Sequence, residues 1–194
     1  NEKLNKDQLK YFSTIINDES KRLTRLLDEI LDLSFLESGQ VKLNISNLRL
    51  NEILQTALQS TQQSIANSNA LLEFDLNFTN TKIQTDPDRL SQVFINLITN
   101  AVKYNDKSQP TLKISCQKDN DFLCVSFQDN GPGIPKAKHT IIFEKFTRLS
   151  NTENSSGVGL GLAISQEIMK NLGGSLICLE SKIGANFQVK IPLN

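Results

Sequence analysis

Gln92, Asn96, Asn100 and Lys103 recur at helical spacing and share one face of a single helix. Asparagine carbonyls are hard oxygen ligands of the kind Mg²⁺ accepts, and lysine brings a point charge to phosphate. That stripe can meet a phosphorylated ligand and its cation. Leu90, Phe94, Leu97, Ile98 and Ala101 line the other side, so the same pattern also describes an amphipathic helix with a wet face. A second group is Asp129-Asn130-Gly131-Pro132-Gly133, directly after the apolar run Leu123 to Phe127. A carboxylate at a strand end, followed by glycines, sets an acceptor where a ligand can come close to the backbone. A turn between strands uses the same residues. The third group is Gly157-Val158-Gly159-Leu160-Gly161-Leu162, opening a helix. Glycines there leave backbone N–H groups facing an anion at the positive end of the helix dipole. The spacing is not that of a dinucleotide fingerprint, and no Gly-Lys-Ser/Thr follows, so it is not a P-loop.

The elements that must hold these groups can be read from periodicity. Residues 5 to 37 carry a seven-residue repeat, with Leu9, Ile16, Leu23 and Ile30 at one position and Phe12, Glu19, Leu26 and Leu33 at the other. All but Glu19 are apolar, which indicates a helix packed lengthwise on other helices. A surface helix lying on its own domain is the alternative. Ser38-Gly39 ends it, with Gly39 suited to a left-handed cap. Val41, Leu43 and Ile45 alternate as a strand does. Asn51 opens a second helix, and Leu71 to Leu76 and Lys82 to Thr85 read as strands. Asp86-Pro87-Asp88 starts a third helix, a capping carboxylate followed by proline, which runs to about Tyr104. Thr111 to Gln117 and Phe122 to Gln128 form a hairpin. A last helix runs to about Leu172, and Ser175 to Glu180 and Asn186 to Pro192 close the chain as strands. Interleaved helices with tight hairpins indicate an α+β fold. The expected form is a two-layer sandwich. Its mixed, largely antiparallel sheet of about five strands is covered by three helices and preceded by the coiled-coil-like helix.

Composition narrows the function classes. The 194 residues balance 21 Lys plus Arg against 21 Asp plus Glu, so no bulk charge draws the chain to nucleic acid or anionic membrane. Cys116, Cys124 and Cys178 show no Cys-x-x-Cys spacing and sit in apolar runs, as buried reduced thiols do. No apolar run approaches the ~20 residues that span a bilayer. The opening residues Asn1-Glu2-Lys3-Leu4 look like a boundary inside a longer protein.

Taken in order, the motifs resemble those of the histidine kinases and of the wider ATP-binding fold shared with gyrase, mismatch-repair ATPases and the ninety-kilodalton heat-shock chaperone. Asn96 to Tyr104 looks like the N box, Asp129 to Ile134 the G1 box, Phe143 to Arg148 the F box, and Gly157 to Leu162 the G2 box. The resemblance covers the chain from about Val41 onward. Residues 1–39 resemble the second helix of the family's dimerisation and histidine-phosphotransfer hairpin, down to Leu33-Ser34-Phe35-Leu36-Glu37-Ser38-Gly39, and 40–194 the catalytic ATP-binding domain. The resemblance implies ATP and Mg²⁺ as cofactors. Asn100 would coordinate Mg²⁺, with Asn96 helping directly or through water. Lys103 and Arg148 would reach phosphate and, with Asn96, carry catalysis. Asp129 would accept the adenine amino proton, beside Tyr104, Gly131, Gly133 and Ile134. Gly157, Gly159, Leu160 and Gly161 would offer N–H groups to phosphate and hinge a flexible ATP lid over residues 134–156.

The reaction so implied moves the ATP γ-phosphoryl group to a histidine, for relay to an aspartate on a response regulator receiver domain. The protein would be cytoplasmic in this region and would dimerise through the helix hairpin. Val158 departs from the pattern, where threonine is frequent. The family's phosphoacceptor histidine precedes an acidic residue and a Thr-Pro pair. The one histidine here, His139, has a different setting and reads as a surface residue of the lid. Two alternatives stand beside this reading. An ATPase switch of the gyrase or mismatch-repair kind needs a glutamate one turn before the metal-binding asparagine, and Asn96 cannot act as that general base. A nucleotide-binding interaction module without kinase activity would keep the boxes and lose the transfer.

Overall fold

The computed structural model describes residues 5–149 and 158–193. Helix α1 (Lys6–Glu37) begins at Asn5, whose side chain accepts from the Gln8 backbone while the Gln8 side chain accepts from the Asn5 backbone. This reciprocal pairing satisfies donors that a bare helix start leaves open. Gly39 follows the helix with φ +66°, as a left-handed cap requires. Strand β1 (Ser46–Arg49) leads into α2 (Leu50–Asn67), then β2 (Leu71–Leu76) and β3 (Lys82–Thr85). Helix α3 (Pro87–Lys103) is followed by β4 (Thr111–Asp119) and β5 (Phe122–Asp129), and α4 (Gly161–Asn171) by β6 (Ser175–Leu179) and β7 (Asn186–Pro192).

The main sheet has five strands in the order β2-β4-β5-β7-β6, parallel only between β2 and β4. Its inner face carries Leu112, Ile114, Leu123, Val125, Phe127, Val189 and Ile191, all at most 2% exposed. Helices α2, α3 and α4 supply the opposing layer, with the ring of Phe94 of α3 tilted against that of Phe127 of β5 at 5.3 Å between centroids. The expected α+β sandwich is the observed one.

The strand expected at 41–45 is not formed. The short strand lies just beyond it, at Ser46–Arg49, and pairs antiparallel with β3 in a separate two-stranded ribbon. Hydrogen bonding explains the shift. The Asn44 N–H is taken by the carboxylate of Asp86, so this stretch has a side-chain partner instead of a strand neighbour. Asp86 also caps α3 by accepting from the backbone of Asp88 and Arg89.

Helix α1 packs on the body only through its last turns. Leu33 and Leu36 are buried, whereas Leu9, Ile16 and Leu23 of the apolar repeat are 53%, 65% and 58% exposed. The helix therefore does not lie along its own domain. Its end is fastened by Asp32 to Arg89 at 2.8 Å, by Glu37 to Lys145 at 2.7 Å, and by Asn171 donating to the Leu36 carbonyl. Among the described residues no helix is long and apolar enough to cross a membrane.

Candidate functional site

The polar stripe on α3 lies where the sequence puts it, at the rim of the helix layer. Asn96 and Asn100 are half-buried and linked, Asn100 Nδ2 donating to Asn96 Oδ1 at 3.3 Å. Asn96 Nδ2 donates in turn to Ser165 of α4. Gln92 is turned toward α1 and donates to Asp32. Lys103 and Tyr104 are exposed at the helix end, with the ammonium 5.1 Å from the ring centroid, a cation–π arrangement. The same ammonium and Arg25 act on Glu29 of α1, whose carboxyl burial pushes above its ordinary range.

Asp129 closes β5 at the next corner. Its Oδ1 accepts from the Gly131 N–H at 2.8 Å and from the Ala185 N–H at 3.0 Å. Among the described residues Oδ2 has no donor. Burial pushes this carboxyl above its usual range, and the two backbone hydrogen bonds oppose that shift. A half-buried carboxylate with one oxygen fixed and one open is suited to a single amine donor. The turn before β7 makes this possible. Gly184 has φ +61°, and a Cβ there would overlap the Asp129 carbonyl oxygen and crowd its Oδ1. Gly184 and Ala185 were not among the residues singled out from sequence. They lie far along the chain, and only the β5–β7 pairing brings them to Asp129. Gly184→Ala is expected to cost about 2 kcal/mol of stability from strained φ and overpacking. Thermal unfolding would show it, and an unchanged midpoint would mean that the turn relaxes freely.

The motifs form one chain of contacts. Asn105, just past Tyr104, donates to Asn130 at 2.8 Å, and Asn130 accepts from the Thr111 N–H and donates to the Gln109 carbonyl. This ties the end of α3 to the Asp129 turn. Gly161 begins α4 against the Asn96 side chain. The Phe146 N–H donates to the Gly159 carbonyl, joining the segment before residue 150 to the glycine loop. Leu160 is buried, and among the described residues no side chain caps α4, so its first N–H groups can face an anion.

The segment expected to be a lid is partly built into the body. Ile142 and Phe143 are buried in a short 3-10 turn, and Phe143 meets Phe187 edge-on at 6.3 Å. Aromatic burial anchors this part, at the Ile141 to Phe146 cluster of core-type residues within the expected lid. His139 is half-buried, with Nε2 2.9 Å from the Ile134 carbonyl oxygen, so it staples the turn and is not simply a surface residue. Arg148 is exposed at the end of the described segment. Gly157 and residues 150–156 lie outside the described residues. Gly133 and Ile134 are half-buried beside the Asp129 turn. The cysteines are unpaired, and burial pushes the thiols of Cys116 and Cys178 up to about 11.

The family model described as histidine kinase-, DNA gyrase B-, and HSP90-like ATPase matches residues 85–194. The circadian input-output histidine kinase CikA of Synechococcus elongatus is 32% identical over 91% of this chain, which spans 24% of that kinase. The solved histidine kinase AdeS of Acinetobacter baumannii is similar with a TM-score of 0.77 at 26% identity, over 99% of this chain and 87% of that one. Histidine kinase ThkA, solved in complex with the response regulator protein TrrA, has a TM-score of 0.77 at 25% identity, over 99% of this chain and 53% of that one.

Proposed function

Because the chain belongs to the family of histidine kinase-, DNA gyrase B- and HSP90-like ATPases, we propose that it is the catalytic region of a sensor histidine kinase. In this reading it binds ATP with Mg²⁺ and passes the γ-phosphoryl group to a histidine on a helix outside these residues. A response regulator receiver domain would then take the phosphoryl group onto an aspartate. The observation that carries it is the contact chain itself. Hydrogen bonds and close packing link the end of α3 to the Asp129 turn and the carboxamide pair to the start of α4, which no described side chain caps, and this supports one shared nucleotide site.

The residues fit the proposed ligands. Asp129 Oδ2 lacks a donor among the described residues, and Gly131, Gly133 and Gly184 let the backbone of the turn close around this carboxylate. Among the described residues no cluster of His, Cys, Asp and Glu could hold a metal. That suits Mg²⁺, which is usually held by few protein oxygens and by substrate phosphates. When bound, the cation would neutralise charge on the phosphates. Asn100 would supply an oxygen, Asn96 would hold Asn100 or reach the cation through water, and Lys103 and Arg148 would add positive charge. Catalysis of this kind rests on positioning and electrostatics. Asn96 stands where a hydrolytic relative needs a general base, which favours transfer over hydrolysis.

Helix α1 serves in this reading as the second helix of a hairpin, residues 1–39 forming one unit and 40–194 the other. Its exposed repeat would pair with helices in a bundle built by two subunits. The test is transfer in trans. Labelled ATP and these residues should phosphorylate an added polypeptide carrying the parent's histidine helix, while His139 stays unlabelled. Phosphohistidine on His139, or ATP consumed as fast without the acceptor, would count against the proposal.

A further inference from the structure

Ser165 takes no part in the roles assigned above. It stands on α4, is 1% exposed, and its hydroxyl oxygen accepts from Asn96 Nδ2 at 2.9 Å. One turn earlier on the same helix, Gly161 lies so close that a Cβ there would stand 2.5 Å from Asn96 Oδ1. Asn100 Nδ2 donates to that same oxygen at 3.3 Å. The Asn96 carboxamide is therefore clamped among a buried hydroxyl, a bare backbone and a second carboxamide.

A primary amide has a donor end and an acceptor end. With its nitrogen on Ser165, Asn96 presents its oxygen to Asn100. Asn100 must then answer with its own nitrogen, which turns its oxygen outward. The buried Ser165 hydroxyl anchors the Asn96 carboxamide, and the Gly161 backbone packed against it leaves it no room to swing away from Asn100. We propose that Ser165 is a positioning residue for the cation, acting through Asn96 to keep the Asn100 oxygen available. The proposal rests on the reading of Asn100 as a Mg²⁺ ligand. Within a half-buried network of this kind each hydrogen bond reinforces the orientation of the next. The serine thus ties the glycine-loop helix to the metal stripe by chemistry as well as by packing.

The experiment measures ATP affinity by calorimetry with and without Mg²⁺, for the 194-residue chain and its variants. Ser165→Ala is expected to reduce the Mg²⁺-dependent enhancement roughly three- to tenfold, the effect of one lost hydrogen bond. Its metal-free ATP affinity should not change. Ser165→Thr, which keeps the hydroxyl, should retain the enhancement. In an Asn96→Ala background, adding Ser165→Ala should have no further effect, because the intermediary is gone. A purely structural serine would lower metal-free and Mg²⁺-bound affinity alike and persist in the Asn96→Ala background, and either result overturns the proposal. Should Ser165→Ala not fold, Ser165→Cys, of similar size but a poor acceptor, gives the same reading. A wild-type chain with no Mg²⁺ enhancement would instead sink the metal reading beneath it. A wild-type enhancement unaltered by Ser165→Ala sinks this inference alone.

Discussion

Asp129→Asn is expected to weaken ATP binding roughly tenfold to more than a hundredfold while leaving the fold in place. Two backbone N–H groups hold the Asp129 Oδ1, and in the proposed reading Oδ2 would accept from the adenine amine. A hydrogen bond to a charged acceptor contributes on the order of 1.5–3 kcal/mol. That range converts to the stated loss in affinity. The isosteric amide keeps one oxygen for the backbone donors, but its NH₂ then faces the adenine NH₂, donor against donor. GTP should bind poorly to the wild type, since guanine offers an oxygen at that edge. Calorimetry on both nucleotides checks it. Equal ATP affinity in the two proteins would remove Asp129 from the base site.

The same group carries a pH dependence of known sign. Burial raises its pKa above the usual ~3.9 of an aspartate, so the neutral form gains in the folded chain. Adenine binding needs the ionised form. Affinity for adenosine, which has no phosphate to titrate, should therefore fall as pH drops through the raised pKa, at a higher pH than a solvated carboxylate would give. Stability of the ligand-free fold moves the other way at this residue. Between the unfolded and folded pKa values the folded state holds more protons, so protonation stabilises it as pH falls. In Asp129→Asn both dependences should flatten. An unchanged adenosine pH profile in that variant would show that another group titrates.

What the sequence made legible follows the range of the interactions involved. Helix α3 was readable to the residue at its start because Asp86-Pro87-Asp88 is a local cap signal, and the structure shows Asp86 capping as expected. Strands β2, β3 and β7 were readable because apolar residues bounded by polar turns mark them. The false strand at 41–45 shows the limit. Val41, Leu43 and Ile45 alternate correctly, but a strand needs a partner. Asp86, 42 positions away, takes the Asn44 N–H instead. The site divides in the same way. Local spacing singled out Asn96, Asn100, Lys103, Asp129 and the glycines as candidates, and the family resemblance gave them their expected roles. Neither marked Gly184 and Ala185, which hold Asp129, or Ser165, which holds Asn96. Their hydrogen bonds and contacts join residues more than fifty positions apart. A serine in an apolar helix face carries no local mark of its partner.

Asn100→Ala should abolish the Mg²⁺-dependent part of nucleotide binding altogether. In the proposed site Asn100 supplies the protein oxygen, since Asn96 commits its own oxygen to the Asn100 NH₂. Truncation removes the ligand atom and leaves Asn96 without its donor. Mg²⁺ favours near-ideal octahedral oxygen geometry and dehydrates reluctantly, so a shifted water is a poor substitute for a fixed carbonyl. Asn100→Asp should behave differently, since it keeps an oxygen at the same distance along the side chain and adds charge. It loses the NH₂ that Asn96 Oδ1 accepts, so its Mg²⁺ response should be weaker than that of the wild type. Asn100→Asp should therefore retain a reduced Mg²⁺ response, while Asn100→Ala should bind nucleotide equally with the metal or with chelator. Parallel titrations of wild type and both variants decide the matter. A Mg²⁺ enhancement of wild-type size in Asn100→Ala would move the cation off this helix.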